Sequence, residues 1–284
     1  MDSFDPAKFK AAQRKEWAEV AAGWKQWWET HESGGQAISN HLVESADIKS
    51  GDRVLDIATG IGEPALTAAR RVGRDGRVVA TDQAPQMLAL ARSRATAEGL
   101  QNMEFLEMDA EELDLPEESF DVVLCRQGLQ YFPSLVPTLG RVRRLLTPGG
   151  RLSAATWGEP PKVPYISLAM STVGRCLRAP PPQPGIPGPF SLSDPNALEK
   201  AFTTAGFINI QSNRLTVTFQ WSSPGDYTRF IQDIGAPIRA LMASEPAERQ
   251  TSIWQAVTEA VGPYVAQDGV VRLPAEAICI VGQR

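Results

Sequence analysis

The sequence predicts an α/β protein with a doubly wound, seven-stranded and mostly parallel sheet. Short apolar runs that are typical of buried strands alternate with helical segments between residues 53 and 157. The first of these strands leads directly into a glycine turn, Gly60-Ile61-Gly62. Two more strand candidates follow at residues 207–218 and 277–281. Strands that alternate with helices at this spacing favour parallel pairing, because right-handed crossovers return the chain to the same edge of the sheet.

The N-terminal segment is predicted to be helical. Tryptophans 17, 24, 27 and 28 and Val20 recur at helical spacing within residues 7–29. Gly34-Gly35 is expected to end this helix, and a second helix is expected over residues 36–46.

The alternating region then follows in order, with glycines and prolines marking the ends of its elements. A helix that ends near Gly73 follows the glycine turn, and Gly99 stops the next helix after Pro85. The predicted strands are residues 53–57, 77–81, 103–107, 120–125 and 151–157, and the later helices are residues 85–98 and 135–146.

The alternation of strands and helices ends after Trp157. Six prolines between residues 180 and 189 exclude a helix or a central strand and predict a stiff loop. Asp194-Pro195 opens a helix with a capping residue and a proline at its first position, and helical segments are expected over 224–264. We therefore divide the chain into an N-terminal helical lid (1–50), a core that contains the glycine turn (51–160) and the rest of the sheet (161–284). The last part carries lid insertions at about 161–192 and 224–265.

Composition limits the function classes. The net charge of −5 argues against a nucleic-acid partner, and no apolar run is long enough to span a membrane. The acidic start lacks an export signal, which predicts a cytoplasmic protein, expected to be a monomer or homodimer. Three cysteines and two histidines, without ligand spacing, predict neither a disulfide framework nor a metal site.

The glycine turn points to a bound cofactor. A strand that runs into Gly-x-Gly and then a helix lets the backbone approach a ligand closely. Gly60 and Gly62, with Asp82 about 20 residues further on, also satisfy the dinucleotide pattern of nicotinamide enzymes. The turn alone does not separate the two cofactor classes.

The residues around the turn resemble a known family. Residues 54–62, with Asp56 four positions before Gly60, resemble the first signature of class I S-adenosylmethionine-dependent methyltransferases. Four further signatures follow in the family's order: residues 78–82, 107–110, 120–125 and 146–152. Ala58 replaces the first glycine of the commonest pattern. The same departure occurs in the ubiquinone/menaquinone-biosynthesis methyltransferases, the group that the chain looks most like.

The resemblance implies S-adenosylmethionine as the cofactor and assigns roles to individual residues. Asp82 is expected to hold the ribose hydroxyls and Asp109 the adenine amino group, although either aspartate is also typical of a loop cap. Met87 either packs on the adenine or belongs to a helix core. The full predicted set is Trp24, Asp56, Ala58, Gly60, Gly62, Asp82, Gln83, Met87, Asp109, Ala110, Glu111, Arg126 and Gln127.

The predicted reaction is methyl transfer to oxygen or carbon of a small organic acceptor. His31 and Tyr131 are the candidate catalytic residues; His31 is otherwise a solvated loop histidine, and Tyr131 is otherwise part of the core. Nitrogen of a small amine remains open as the methylated atom. A nicotinamide oxidoreductase and a non-catalytic cofactor-binding protein are the alternatives from other classes.

Overall fold

A computed structural model describes residues 4–181, 183 and 185–284. The helices are α1 (Pro6–Ser45), α2 (Ala65–Val72), α3 (Pro85–Ala97), α4 (Leu135–Leu145), α5 (Pro164–Leu177), α6 (Pro195–Thr204), α7 (Pro224–Ile234), α8 (Ala236–Met242) and α9 (Ala247–Ala260). The strands are β1 (Arg53–Ile57), β2 (Arg77–Asp82), β3 (Met103–Glu107), β4 (Phe120–Arg126), β5 (Leu146–Trp157), β6 (Ile208–Trp221) and β7 (Val271–Gln283).

The strands form one seven-stranded sheet in the order β3-β2-β1-β4-β5-β7-β6. The strands β1 to β5 are parallel, while β7 pairs antiparallel with β5. The predicted fold class is therefore confirmed. Because the parallel strands share one direction, the carboxyl ends of β1 to β4 lie along a single edge of the sheet.

The N-terminal prediction of two helices was wrong. A single helix, α1, runs through Gly34-Gly35 without a break. The reason lies in packing, since a Cβ at Gly34 would come within 2.7 Å of the Phe219 ring and 2.9 Å of the Thr218 carbonyl oxygen. Glycine here permits a close helix–strand approach and does not end the helix.

The region after Trp157 contains a helix that the sequence analysis missed. Residues 164–177 form α5, with Pro164 at its first turn, where a proline costs no hydrogen bond. The described residues of the proline segment form turns and irregular loop, as expected; Pro182 and Pro184 lie outside the described residues. Asp194 caps α6 as predicted, accepting a hydrogen bond from the Asn196 N–H at 2.9 Å.

The chain divides into two compact units. The sheet unit comprises residues 36–158, 187–215 and 277–284, and the helical unit comprises the described residues within 1–35, 159–186 and 216–276. The sheet unit has an apolar core between β1, β4 and β5 and helices α4 and α6, with Val123, Leu139 and Phe202 among its fully buried side chains. The helical unit is held by packed aromatic rings, among which Tyr165 and Phe219 stack at 4.2 Å.

Candidate functional site

The glycine turn connects β1 to α2 in the sheet unit. Gly60 and Gly62 both have positive φ angles, +55° and +110°, which favour glycine. A Cβ at Gly62 would lie 3.1 Å from Leu66, whereas a Cβ at Gly60 would meet no atom within 4 Å. Gly62 is therefore favoured by its φ angle and by tight packing, and Gly60 borders open space that a ligand can enter.

Ala58 begins the turn in a backbone conformation that alanine rarely adopts, with φ of +56°. Its methyl group is accommodated by Gly128, where a Cβ would lie 2.8 Å from Ala58 Cβ and 2.7 Å from Cys125 Sγ. The sequence analysis noted the departure at Ala58 but not its partner. No pattern within the glycine turn itself points to Gly128, which lies 70 residues further along the chain.

We expect Gly128→Ala to destabilise the protein by about 1–3 kcal/mol, because a methyl group has no room there. The φ of Gly128, −92°, suits alanine, so the loss is steric only. Urea unfolding of Gly128→Ala, Ala58→Gly and the double variant measures the coupling. Since Ala58→Gly removes one of the two clashing atoms, the double variant should lose less than the sum of the singles. Additive losses would contradict the contact.

Asp82 ends β2 and faces the turn. Its Oδ2 accepts a hydrogen bond from the Gly60 N–H, and its Oδ1 accepts one from the Ala84 N–H, both at 2.9 Å. The residue is only 9% exposed, and burial raises the pKa of its carboxyl group although the backbone donors oppose the rise. The carboxyl group of Asp82 thus holds both the loop after β2 and the glycine turn in place.

The acidic residues after β3 have local structural partners. Asp109 Oδ1 accepts a hydrogen bond from the Glu111 N–H at 2.9 Å and so caps a short turn at Ala110–Glu112. Glu111 Oε1 accepts a hydrogen bond from the Ser134 N–H at 2.5 Å. The loop-cap interpretation of Asp109 therefore has a geometric basis, while contact with a cofactor remains a prediction for Asp109, Ala110 and Glu111.

Two further predicted contacts lie at the start of α3. Met87 is 2% exposed on the buried face of this helix, and Gln83 is half-buried directly after Asp82. Met87 therefore belongs to the helix core in this structure, and its packing on an adenine remains a prediction.

Asp56 lies under the turn and is fully buried. Its Oδ2 accepts a hydrogen bond from the Ala65 N–H at the start of α2 at 3.2 Å. Burial raises the pKa of this carboxyl group to about 7, although the Thr59 side chain, the charge of Arg126 and the Ala65 N–H all act to lower it.

We expect Asp56 to make stability depend on pH. The folded protein keeps the Asp56 proton up to about pH 7, whereas the unfolded chain releases it near its ordinary pKa. The stabilisation is therefore complete below the unfolded pKa and is lost as pH rises through about 7, by up to about 4 kcal/mol. Asp56→Asn carries no such proton. Urea unfolding of both proteins between about pH 5 and 8 should give a difference that grows with pH, and a constant difference would contradict this account.

The end of β4 contributes the remaining predicted contacts in the sheet unit. Arg126 Nη1 donates a hydrogen bond to Ser39 Oγ at 3.0 Å. Tyr131 is half-buried in a short turn, and its backbone N–H donates to the Gly128 carbonyl oxygen. Gln127 has φ of +63°, and both its amide oxygen and its amide nitrogen are buried without a hydrogen-bond partner among the described residues. An unsatisfied buried amide is uncommon and marks a position where a ligand is expected.

Sequence reasoning did not single out Gln130, which is 1% exposed. Its Oε1 accepts a hydrogen bond from the Trp157 N–H, and its carbonyl oxygen accepts from Gly188 N–H and Ser191 Oγ. This residue ties the end of β5 to the loop after the proline segment. The one hint in the sequence is that Gln130 lies five residues after the fourth signature, residues 120–125.

His31 and Trp24 lie in the helical unit. His31 is 8% exposed and within α1, so its interpretation as a solvated loop histidine was wrong. Its ring lies 4.8 Å from the Trp24 ring in an edge-to-face contact and 5.2 Å from the Phe219 ring, and its Nδ1 lies 3.5 Å from Glu32 Oε1. The catalytic role of His31 and the contact of Trp24 with a cofactor remain predictions.

Within the described ranges, no three side chains of His, Cys, Asp or Glu are grouped so that they would hold a metal ion. Likewise, none of the helices traced in those ranges combines the length and apolar character needed to cross a bilayer.

Part of the chain is similar in sequence to known proteins. The chain is 42% identical over 120 residues to a demethylmenaquinone methyltransferase from Thermus thermophilus, which covers 42% of this chain and 54% of that protein. It is 38% identical over 119 residues to a ubiquinone/menaquinone biosynthesis C-methyltransferase, UbiE, from Pseudomonas entomophila, covering 42% and 46%. The chain thus spans about half the length of these relatives.

Solved structures extend the likeness to most of the fold. The YcgJ protein from Bacillus subtilis matches with a TM-score of 0.58 at 22% identity, over 87% of this chain and 97% of that one. The cyclase SpnF matches with a TM-score of 0.52 at 19% identity, over 87% and 79%. At these identities the likeness concerns the fold alone.

The sheet order and the glycine turn after β1 match the fold of class I methyltransferases. Residues 48–171 match the methyltransferase domain family. This part of the chain is similar in sequence to the ubiquinone- and menaquinone-biosynthesis methyltransferases, as the resemblance predicted.

Proposed function

We propose that the chain transfers a methyl group from S-adenosylmethionine to oxygen or carbon of a small organic acceptor. One observation carries the choice of cofactor. In a dinucleotide enzyme the N–H groups of the glycine turn and the following helix bind a pyrophosphate. Here the Gly60 N–H donates a hydrogen bond to the Asp82 carboxyl group, and the Ala65 N–H donates one to the Asp56 carboxyl group. These two N–H groups therefore already have carboxyl acceptors, which disfavours a pyrophosphate at the turn.

The residues of the sheet unit fit such a cofactor. The open space at Gly60 allows the nucleoside to approach the backbone closely. We propose that Asp82, at the end of β2, takes the ribose hydroxyls and that Asp109, two residues after β3, accepts from the adenine amino group. The further cofactor contacts proposed in the sheet unit are Asp56, Ala58, Gly62, Gln83, Met87, Ala110, Glu111, Arg126 and Gln127. Trp24, which the resemblance also assigns to the cofactor, belongs to the helical unit.

The chemistry asks little of the protein beyond orientation. S-adenosylmethionine supplies an activated methyl group, so the acceptor atom, the methyl carbon and the sulfur need only be held in line. Such alignment contributes on the order of 7–11 kcal/mol in well-oriented intramolecular reactions. A base is required only when the acceptor must lose a proton. We propose His31 or Tyr131 for that step.

The acceptor is proposed to be a small, mainly apolar molecule. The relatives named above are a demethylmenaquinone methyltransferase and a ubiquinone/menaquinone biosynthesis C-methyltransferase. Their names favour a phenolic or quinonoid acceptor for this chain.

We further propose action in the cytoplasm, as a monomer or homodimer and without nucleic acid. The three cysteines are free, which suits a reducing compartment. The net charge of −5 disfavours a polyanionic partner.

Methyl-labelled S-adenosylmethionine tests the reaction. The protein is incubated with a panel of phenols, hydroquinones and small amines, and transfer of label is followed by mass spectrometry. We expect label on oxygen or carbon of a phenol or hydroquinone. Tight cofactor binding without transfer to any class would favour a protein that uses the cofactor without methylation, and transfer only to amines would reassign the acceptor atom.

A further inference from the structure

We infer that the side-chain amide of Gln127 binds the amino-acid end of the cofactor, with its nitrogen donating to the α-carboxylate and its oxygen accepting from the α-ammonium. This inference rests on the proposed function. Gln127 would then be the residue that distinguishes a nucleoside carrying an amino acid from a nucleoside without one.

The first argument is that the amide is unsatisfied. Gln127 Nε2 and Oε1 are both buried, and neither has a hydrogen-bond partner among the described residues. Leaving a buried donor and a buried acceptor unpaired is costly, so the position is expected to gain both partners from a bound molecule. The molecule must then present an acceptor and a donor close together, as an α-amino acid does.

The second argument concerns the backbone. Gln127 has φ of +63°, a left-handed conformation that disfavours residues other than glycine. Its N–H donates to the Ala155 carbonyl at 2.8 Å, which holds it to β5. Its neighbour Gly128 packs on Ala58, so that Gln127 lies directly beside the glycine turn. Strained residues that are fixed on both sides concentrate at ligand sites.

The third argument comes from the sheet order β3-β2-β1-β4. The strand β1, which carries the turn, lies between β2 and β4. Asp82 ends β2, on the side assigned to the ribose and adenine, and Gln127 follows β4 on the other side. Neighbouring strands are about 4.8 Å apart, so these ends are separated by roughly 10 Å. A cofactor that lies across the turn with its nucleoside at β2 therefore extends its amino acid toward β4.

The test compares two ligands that share the nucleoside and the sulfur. S-adenosylhomocysteine carries the amino acid, and 5′-methylthioadenosine lacks it. For Gln127→Leu we expect the affinity for S-adenosylhomocysteine to fall roughly 10- to 100-fold, because hydrogen bonds to two charged groups are lost. The affinity for 5′-methylthioadenosine should stay within about 2-fold of wild type.

A matched control is Gln130→Leu, which removes another buried glutamine amide three residues further on. It should lower stability through the lost bond to the Trp157 N–H and leave the ratio of the two affinities unchanged. Should Gln127→Leu fail to fold, Gln127→Glu serves instead. That variant keeps the acceptor and loses the donor, and it should again weaken S-adenosylhomocysteine selectively.

The outcomes separate this inference from the proposed function. Equal losses for both ligands, or unchanged affinity for both, would overturn the role of Gln127 while leaving the cofactor assignment in place. A change confined to the KM of the methyl acceptor would also overturn it. Failure of the wild-type protein to bind either ligand would instead overturn the proposed function, and the inference with it.

Discussion

Gly60→Ala is expected to lower the affinity for S-adenosylhomocysteine by at least about 100-fold while the protein stays folded. Gly60 has φ of +55°, and its Cβ position borders open space on the side where the cofactor is proposed to lie. A methyl group there would occupy room needed by the nucleoside. The left-handed backbone costs about 1–2 kcal/mol with alanine, which lowers stability but does not abolish folding. Calorimetric titration and urea unfolding measure the two effects separately.

Gly99→Ala is the matched control for this variant. Gly99 also has a positive φ, +69°, and its Cβ position also meets no atom within 4 Å, but it is exposed after the end of α3. It should show the same loss of stability with unchanged cofactor affinity. If both variants bind S-adenosylhomocysteine as tightly as wild type, the nucleoside does not lie at the turn.

Asp82→Asn is expected to weaken cofactor binding by about 100-fold. The substitution removes the negative charge that is proposed to hold the ribose hydroxyls, and hydrogen bonds to a charged group contribute about 1.5–3 kcal/mol each. It also places an amide nitrogen where Oδ2 or Oδ1 now accepts from Gly60 or Ala84 N–H. Burial raises the pKa of Asp82, so loss of the charge relieves a cost and the fold should be retained.

The control is Asp194→Asn. Asp194 accepts from the N–H two residues ahead at 2.9 Å, as Asp82 does with Ala84, but it caps α6. A loss of affinity confined to Asp82→Asn would assign the effect to the site. Equal, small effects in both variants would reduce Asp82 to a loop cap.

The repeating part of the fold could be predicted because its signals are local. The strands from 53 to 157 are short apolar runs with glycines and prolines at their ends, and the structure confirms each of them. Asp194-Pro195 gave the start of α6 for the same reason. The signatures also placed Asp56 and Asp82 around the turn, since a strand end and a turn fix their positions.

The features that were missed depend on residues far apart in the sequence. A glycine pair such as Gly34-Gly35 is typical of a helix end, yet Gly34 lies within α1. The Phe219 ring occupies the space that a Cβ at Gly34 would need. The pairing of Ala58 with Gly128 is invisible until β1 and β4 lie side by side. The unsatisfied amide of Gln127 likewise requires knowledge of what surrounds it. Helix α5 was not predicted, although Pro164 stands at its first turn, where a proline is favoured.

The central claim is that the glycine turn binds S-adenosylmethionine and not a dinucleotide. Isothermal titration of the wild-type protein with S-adenosylhomocysteine and with NAD, under the same conditions, tests it most directly. Because carboxylates already take the N–H groups of Gly60 and Ala65, we predict saturable binding of S-adenosylhomocysteine and none of NAD. Binding of NAD alone would contradict the account.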